Sequence, residues 1–156
     1  MSRPTYVTSE DVNKAWACVC RLAAAYGYGA YKNPGQYSRI DFLLLSQSRR
    51  APGHAIWVEV KCRTHAFGQF PTLLISAMKW KEGIELARTT GAGFCILVNY
   101  TDGDYFYGYK PAHVADGRVY LEHGGRTRNT RDGGDIEPVM HIPMSLFQKV
   151  TTQESP

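Results

Sequence analysis

Two stretches decide how this chain folds: Arg39-Ile40-Asp41-Phe42-Leu43-Leu44-Leu45 and, after a polar loop, Ala55-Ile56-Trp57-Val58-Glu59-Val60-Lys61-Cys62-Arg63. The second alternates cleanly. Ile56, Val58, Val60 and Cys62 fall on one side of an extended chain, and Trp57, Glu59, Lys61 and Arg63 on the other, because successive side chains of a strand point to opposite faces. One side belongs to a core; the other carries charge. The first stretch, residues 38–45, is an apolar run of strand length with a single acid, Asp41. Residues 46–50 are polar, and with Pro52-Gly53 they supply the loop between the two strands.

Upstream, Val12, Trp16, Val19, Ala23 and Tyr26 recur at helical spacing over residues 9–26, with Ser9 placed to cap the helix and Gly27 to end it. A short strand over 28–32 leads into the turn Asn33-Pro34-Gly35. Downstream, residues 72–76 read as a short extended segment. A helix follows over 77–90, capped by Ser76, stopped by Gly91, with Trp80, Ile84 and Ala87 inward. Residues 93–100 form an apolar strand, and Asp102-Gly103 turns it into a hairpin partner at 105–109. Residues 118–121 and 139–142 read as short strands on either side of a glycine- and arginine-rich loop at 124–135. This order predicts an α/β fold, a mixed central sheet flanked by helices. One domain is expected over residues 1–150, with a frayed tail at 151–156.

A chain of 156 residues, 44% hydrophobic, is large enough to bury a core and too apolar for global disorder. The four cysteines fit neither a disulfide framework nor a zinc site. Cys18 and Cys20 lie two apart on the first helix and diverge, and no histidine spacing completes a ligand set with Cys62 or Cys95. All four read as buried, reduced thiols of a cytoplasmic protein, in a bacterial or virus-infected cell. No apolar run approaches the roughly 20 residues that span a bilayer, and the N-terminus has no signal-like apolar segment; no membrane partner is expected.

Charge is distributed unevenly. The net charge is +4, yet residues 12–81 hold ten lysines and arginines against two acids, Asp41 and Glu59. A cationic half fits a phosphate-bearing partner, since it attracts the backbone and releases counterions; a solvated basic face is the plainer reading.

The only acids of that half stand inside apolar strands, where an unpaired charge is costly. Asp41 and Glu59 are eighteen residues apart, enough for a strand, a loop and a returning strand. If the strands pair, the two carboxylates converge. With the backbone carbonyl of Val60 they make the hard oxygen set that Mg²⁺ or Mn²⁺ favours. Such an ion neutralises charge on a phosphoryl group. Lys61, on the face of Glu59, is then placed to hold the attacking water or the developing anion.

Arg39-Ile40-Asp41, a loop, and Glu59-Val60-Lys61 before a helix and an apolar strand resemble the PD-(D/E)xK nuclease superfamily, which includes restriction endonucleases, archaeal-type Holliday-junction resolvases and small phage nucleases. The likeness covers residues 9–100; Ile40 stands where the motif's name has proline. It implies a restriction-endonuclease-like αβββαβ core with extra C-terminal strands, Asp41 and Glu59 as metal ligands, and Lys61 as the catalytic lysine. By the same likeness Glu10 in the first helix joins the metal site, its other reading being a favourable first-turn charge on the helix dipole. Lys79 and Lys81 fall at the start of the second predicted helix, as a phosphate site or as solvated lysines. Arg63, Arg126, Arg128 and Arg131 are the further candidates for backbone phosphates. Tyr105, Tyr107 and Tyr109 share one strand face, for packing or for base stacking.

The expectation is a Mg²⁺-dependent endodeoxyribonuclease acting on branched or structured DNA, as a homodimer by likeness to small members. The alternatives are a non-catalytic nucleic-acid-binding module of the same fold, a structural or interaction protein such as a viral assembly factor, and an RNA-directed nuclease.

Overall fold

The computed structural model describes residues 9–33, 40–125 and 136–151. Helix α1 (Ser9–Tyr26) leads through Gly27, at φ 76°, into β1 (Tyr28–Lys32). Then come β2 (Phe42–Ser46), β3 (Ala55–Cys62), β4 (Thr72–Ser76), α2 (Ala77–Thr90), β5 (Gly93–Tyr100) and β6 (Gly103–Gly108). The short helix α3 (Pro111–Ala115), β7 (Tyr120–Gly125), β8 (Ile136–Pro143), a 3₁₀ turn (Met144–Leu146) and β9 (Gln148–Lys149) complete the order.

Six strands form the central sheet in the order β1-β2-β3-β5-β6-β9. Only β3 and β5 run parallel, joined by a crossover through β4 and α2; the other neighbours are antiparallel. The sheet is therefore mixed, and α1 and α2 cover opposite faces. Beneath α1 lie Cys18, Val19, Leu22 and Ala23 against Phe42, Leu44, Val58, Cys95 and Leu97. Beneath α2 lie Trp80 and Ala87 against Phe94, Ile96, Val98 and Tyr107, continuous with Leu73, Ile75, Met140 and Ile142. The alternation read in 55–62 holds. Ile56, Val58 and Val60 pack toward α1, whereas Trp57 packs on the α2 side.

Helix α2 keeps its predicted ends. Ser76 Oγ accepts from the Met78 amide at 3.3 Å, and Gly91 closes the helix in the left-handed region at φ 70°. Several expectations need correction. The buried face of α1 is confined to its second half, and Val12 and Tyr26 are exposed: Val12 precedes the turns that lie over the sheet, and Tyr26 is the helix's last residue. Strand β2 starts at Phe42 rather than 38; Ile40 and Asp41 precede it and residues 38–39 lie outside the described ones. The later strands are longer than expected, and β7 and β8 join β4 in a second, antiparallel sheet, β4-β8-β7. Strand β9 was not foreseen: it carries no apolar pattern and is defined by backbone pairing with Tyr105 and Phe106. Cys20 and Cys62 are half-buried rather than buried, while Cys18 and Cys95 are buried; all four are free thiols. The tyrosines at 105, 107 and 109 serve packing: Tyr107 is buried, Tyr105 stacks on Phe67 at 3.9 Å between centroids, and Tyr109, just past β6, meets Trp80 edge to face. Among the described residues no helix is long and apolar enough to cross a membrane.

Candidate active site

The β2–β3 register sets the site. The last pair of the ladder is Phe42 with Val58, so one residue further on Asp41 comes opposite Glu59. Asn33 fastens this segment, its amide donating to the Asp41 carbonyl at 2.7 Å and its side chain to the Ile40 carbonyl at 3.1 Å. The His54 carbonyl accepts from Ser46. By the alternation of an antiparallel ladder, the carbonyl of Val60 also faces the β2 side, where Asp41 lies.

Helix α2 closes the site from above. It packs close to the sheet because Gly83 has no side chain: a Cβ there would come within 2.3 Å of the Phe94 ring. Trp57 Nε1 donates to Thr90 Oγ1 at 3.0 Å and ties the end of α2 to β3. That placement brings Lys79, in the first turn of α2, over Glu59.

Glu59 is 2% exposed, one of two buried acids among the described residues. Its Oε1 receives two cations, Lys79 Nζ at 2.8 Å and Lys61 Nζ at 3.2 Å. Its Oε2 is buried without a hydrogen-bond partner. Ordinarily such an oxygen costs about 1–3 kcal/mol.

The electrostatics are coupled. Burial first, and then the Glu59 charge, push the Asp41 carboxyl above its usual range, against Lys79 and Lys61. Burial, with repulsion from Lys79 and Arg63, lowers Lys61 below an ordinary lysine despite the pull of Glu59. Burial also opposes the charge of Lys79, but the charge and hydrogen bond of Glu59, with help from Asp41, raise it on balance.

The structure thus brings together Asp41, Glu59, Lys61 and Lys79. Lys79 is engaged with Glu59, a pairing not visible in the sequence because it depends on how α2 lies over β3. Glu10 is not brought to this group. It is exposed in the first turn of α1, and among the described residues no three His, Cys, Asp or Glu side chains gather closely enough to hold an ion. Lys81 points to solvent, 67% exposed, with a loose i,i+4 pair to Glu85 at 3.8 Å. Arg63 follows β3, its amide donating to the Asn99 carbonyl and its guanidinium to the Cys62 carbonyl. Arg126, Arg128 and Arg131 lie outside the described residues.

The residues fit a hard divalent cation. Two carboxylates converge, one with an unsatisfied buried oxygen, and like-charge repulsion between them already favours protonation of Asp41.

No curated protein matches this sequence. Among solved structures it is similar to Hjc, a Holliday junction resolvase of the archaeal hyperthermophile Archaeoglobus fulgidus. That likeness has 18% identity and a TM-score of 0.48, and covers 62% of this chain and 75% of that one. Residues 1–150 match the family described as Phage putative PDDEXK endonuclease. With Asp41 just before β2, Glu59-Val60-Lys61 on the adjoining β3 and a match over nearly the whole sequence, the chain belongs to this phage endonuclease family of the PD-(D/E)xK superfamily.

Proposed function

We propose that this protein is a divalent-metal-dependent endonuclease that hydrolyses phosphodiester bonds in DNA, with Asp41, Glu59 and Lys61 as its catalytic set. The observation that carries the reading is the half-satisfied carboxylate of Glu59. One oxygen is held by Lys61 and Lys79, the other is buried and unpartnered, and the Glu59 charge acts on Asp41. Asp41, Glu59 and the Val60 carbonyl would hold the ion. When bound, Mg²⁺ or Mn²⁺ supplies Lewis-acid charge for the phosphoryl oxygens.

The chain's own groups do the rest. Lys61 keeps its ammonium in the site through Glu59 and presents donors to the nucleophilic water and to charge developing at phosphorus. Its lowered pKa brings it closer to proton exchange near neutrality than an ordinary lysine. Lys79 orients Glu59 through the same oxygen that Lys61 engages, and adds positive charge where a phosphate enters. The basic N-terminal half attracts the polyanion. Branched or structured DNA is the proposed substrate class, in keeping with the resolvase likeness stated from the sequence; a homodimer would let two such sites meet two strands.

The test is incubation of linear, flapped and four-way DNA with Mg²⁺ or Mn²⁺, comparing wild type with Asp41→Asn and Lys61→Ala. Cleavage is expected to stop with chelator and to fall by about 10² or more in both variants. A second readout is thermal. At ten times its Kd the ion stabilises the fold by about 1.4 kcal/mol, or roughly 3–6 °C in Tm for a domain of this size. Asp41→Asn should lose most of that shift. Undiminished cleavage in both variants would place the activity elsewhere.

A further inference from the structure

We propose that the cavity bounded by Arg63, His65, Phe70, Tyr100 and His141 receives a single unpaired nucleobase next to the phosphate held at Asp41 and Glu59. This deepens the nuclease reading and rests on it for the position of that phosphate. The cavity, about 390 Å³, lies between the segment after β3 and strands β4 and β8. That volume suits one small planar ligand.

Continuity with the candidate active site is the first argument. Glu59, Lys61 and Arg63 lie on successive same-face positions, and the ladder to β5 runs on through the Arg63 amide. Two residues of strand are about 7 Å, so the cavity opens one short step beyond Lys61. Arg63 is also among the charges felt by both Lys61 and Tyr100. One guanidinium thus serves both places.

The second argument is the chemistry of the walls. His65 meets Phe70 edge-on at 5.0 Å and Tyr100 at 5.5 Å, and Phe70 remains 53% exposed at the mouth. A large aromatic half in water, lining the same cavity as the Arg63 guanidinium, is useful to a base, whose π-face stacks on it irrespective of sequence. Arg63 supplies the positive charge that the adjoining phosphate needs.

The third argument is preorganisation. The loop after β3 is tied down by Thr101 amide to His65 carbonyl, Phe67 amide to Asp102 Oδ1, and Met144 amide to Pro71 carbonyl. On the far wall His141 has both ring nitrogens engaged, Nδ1 with Thr72 Oγ1 and Nε2 with Glu122, both at 2.9 Å, and stacks on Tyr120. Its polar edge is committed, so it serves as a fixed wall. The cavity exists before a ligand arrives, which lowers the cost of binding.

The experiment is equilibrium binding in chelator, so that cleavage plays no part. The probes are a duplex with a single-stranded tail bearing 2-aminopurine and the matching blunt duplex. Wild type should bind the tailed probe more tightly and change the 2-aminopurine emission on binding. Phe70→Ala should weaken tailed-probe binding about tenfold and abolish the emission change, with the blunt duplex affected less than twofold; Phe70→Trp should restore both. Equal affinity of wild type and Phe70→Ala for the tailed probe, or equal losses on both probes, would overturn the proposal. Glu59→Gln separates the two readings. If no metal-dependent cleavage is found anywhere but the Phe70 effect persists in Glu59→Gln, the base pocket stands and hydrolysis falls. If cleavage is found without a Phe70 effect, the reverse holds.

Discussion

Replacing Glu59 by glutamine separates catalysis from architecture, because the structure predicts that stability and activity will respond very differently. The substitution keeps the shape and removes the charge. On the losing side, two charge-assisted hydrogen bonds, from Lys79 and Lys61, contribute together roughly 3–6 kcal/mol at the usual 1.5–3 each. On the gaining side, a carboxylate 2% exposed no longer has to be stripped of water, a cost of several kcal/mol per ion. The amide oxygen can still accept from one lysine, and the amide nitrogen can turn toward Asp41, giving the buried Oε2 position a donor it lacks. The opposing effects nearly cancel. We expect the metal-free variant to stay within about 2 kcal/mol of wild type, a Tm change of at most roughly 8 °C. Cleavage should fall by about 10³, and the Mg²⁺-induced Tm rise should vanish. Denaturant titration in chelator, with cleavage and thermal shift on the same preparation, provides the check. A loss above about 4 kcal/mol in chelator, with the variant's residual activity in proportion to its folded fraction, would make Glu59 a structural ion pair and refute the reasoning.

Three further outcomes follow from the same structure. Asp104→Ala should destabilise by about 3 kcal/mol in denaturant titration, the lower end of the range for breaking a buried pair, since Arg21 is half exposed. Although burial works against its charge, Arg21, Asn99 and Cys18 hold the Asp104 carboxyl below its usual pKa. Its contribution is therefore complete above the unfolded carboxylate pKa and lost as pH falls through the lower folded value. Wild type, but not the variant, should show this loss in acid titration below about pH 4. Gly83→Ala should cost about 1–2 kcal/mol by the same titration, the gain in helix propensity being outweighed by overpacking against the buried Phe94. Alkylation of the native protein at pH 8, read by mass spectrometry, should spare Cys95, whose thiol burial pushes up to about 12, and Cys18, which burial and Asp104 raise further; both should react once the chain is unfolded.

What could be read without coordinates was local. The alternation in 55–62 assigned Glu59 and Lys61 to one face because period two is a property of the strand itself. Ser76 and Gly91 marked the ends of α2 because caps are chemistry within a few residues. The pairing of Asp41 with Glu59 was legible because a short loop between two strands favours antiparallel neighbours. Long-range arrangements were not legible. Nothing in residues 120–125 or 136–143 says that they leave the central sheet for a separate one with β4, since alternating strands look alike whichever partner they take. In the sequence Lys79 reads as an anion site or a solvated lysine at a helix start, and its bond to Glu59 depends on the close approach that Gly83 permits. The cavity at Arg63 is likewise assembled from segments up to 81 positions apart, Arg63 to Met144. Its aromatic residues carry no common motif.

The two buried acids show how function can be separated from structure on physical grounds alone. Asp104 receives Arg21 on both oxygens, with Asn99 and Cys18 adding to Oδ1; burial opposes its charge, but each of these donors stabilises the ionised form, and the result joins α1 to β5 and β6. Glu59 is more deeply buried and less well served, since both of its cations converge on one oxygen and leave the other bare. A purely structural carboxylate gains nothing from such an arrangement, because the bare oxygen could be satisfied or removed by one substitution. A carboxylate that must accept a cation needs it, since a lone pair already engaged in the fold would have to be released before binding. The asymmetry between Asp104 and Glu59 is therefore an argument for metal binding that owes nothing to family likeness, and the Glu59→Gln comparison puts that argument directly to the test.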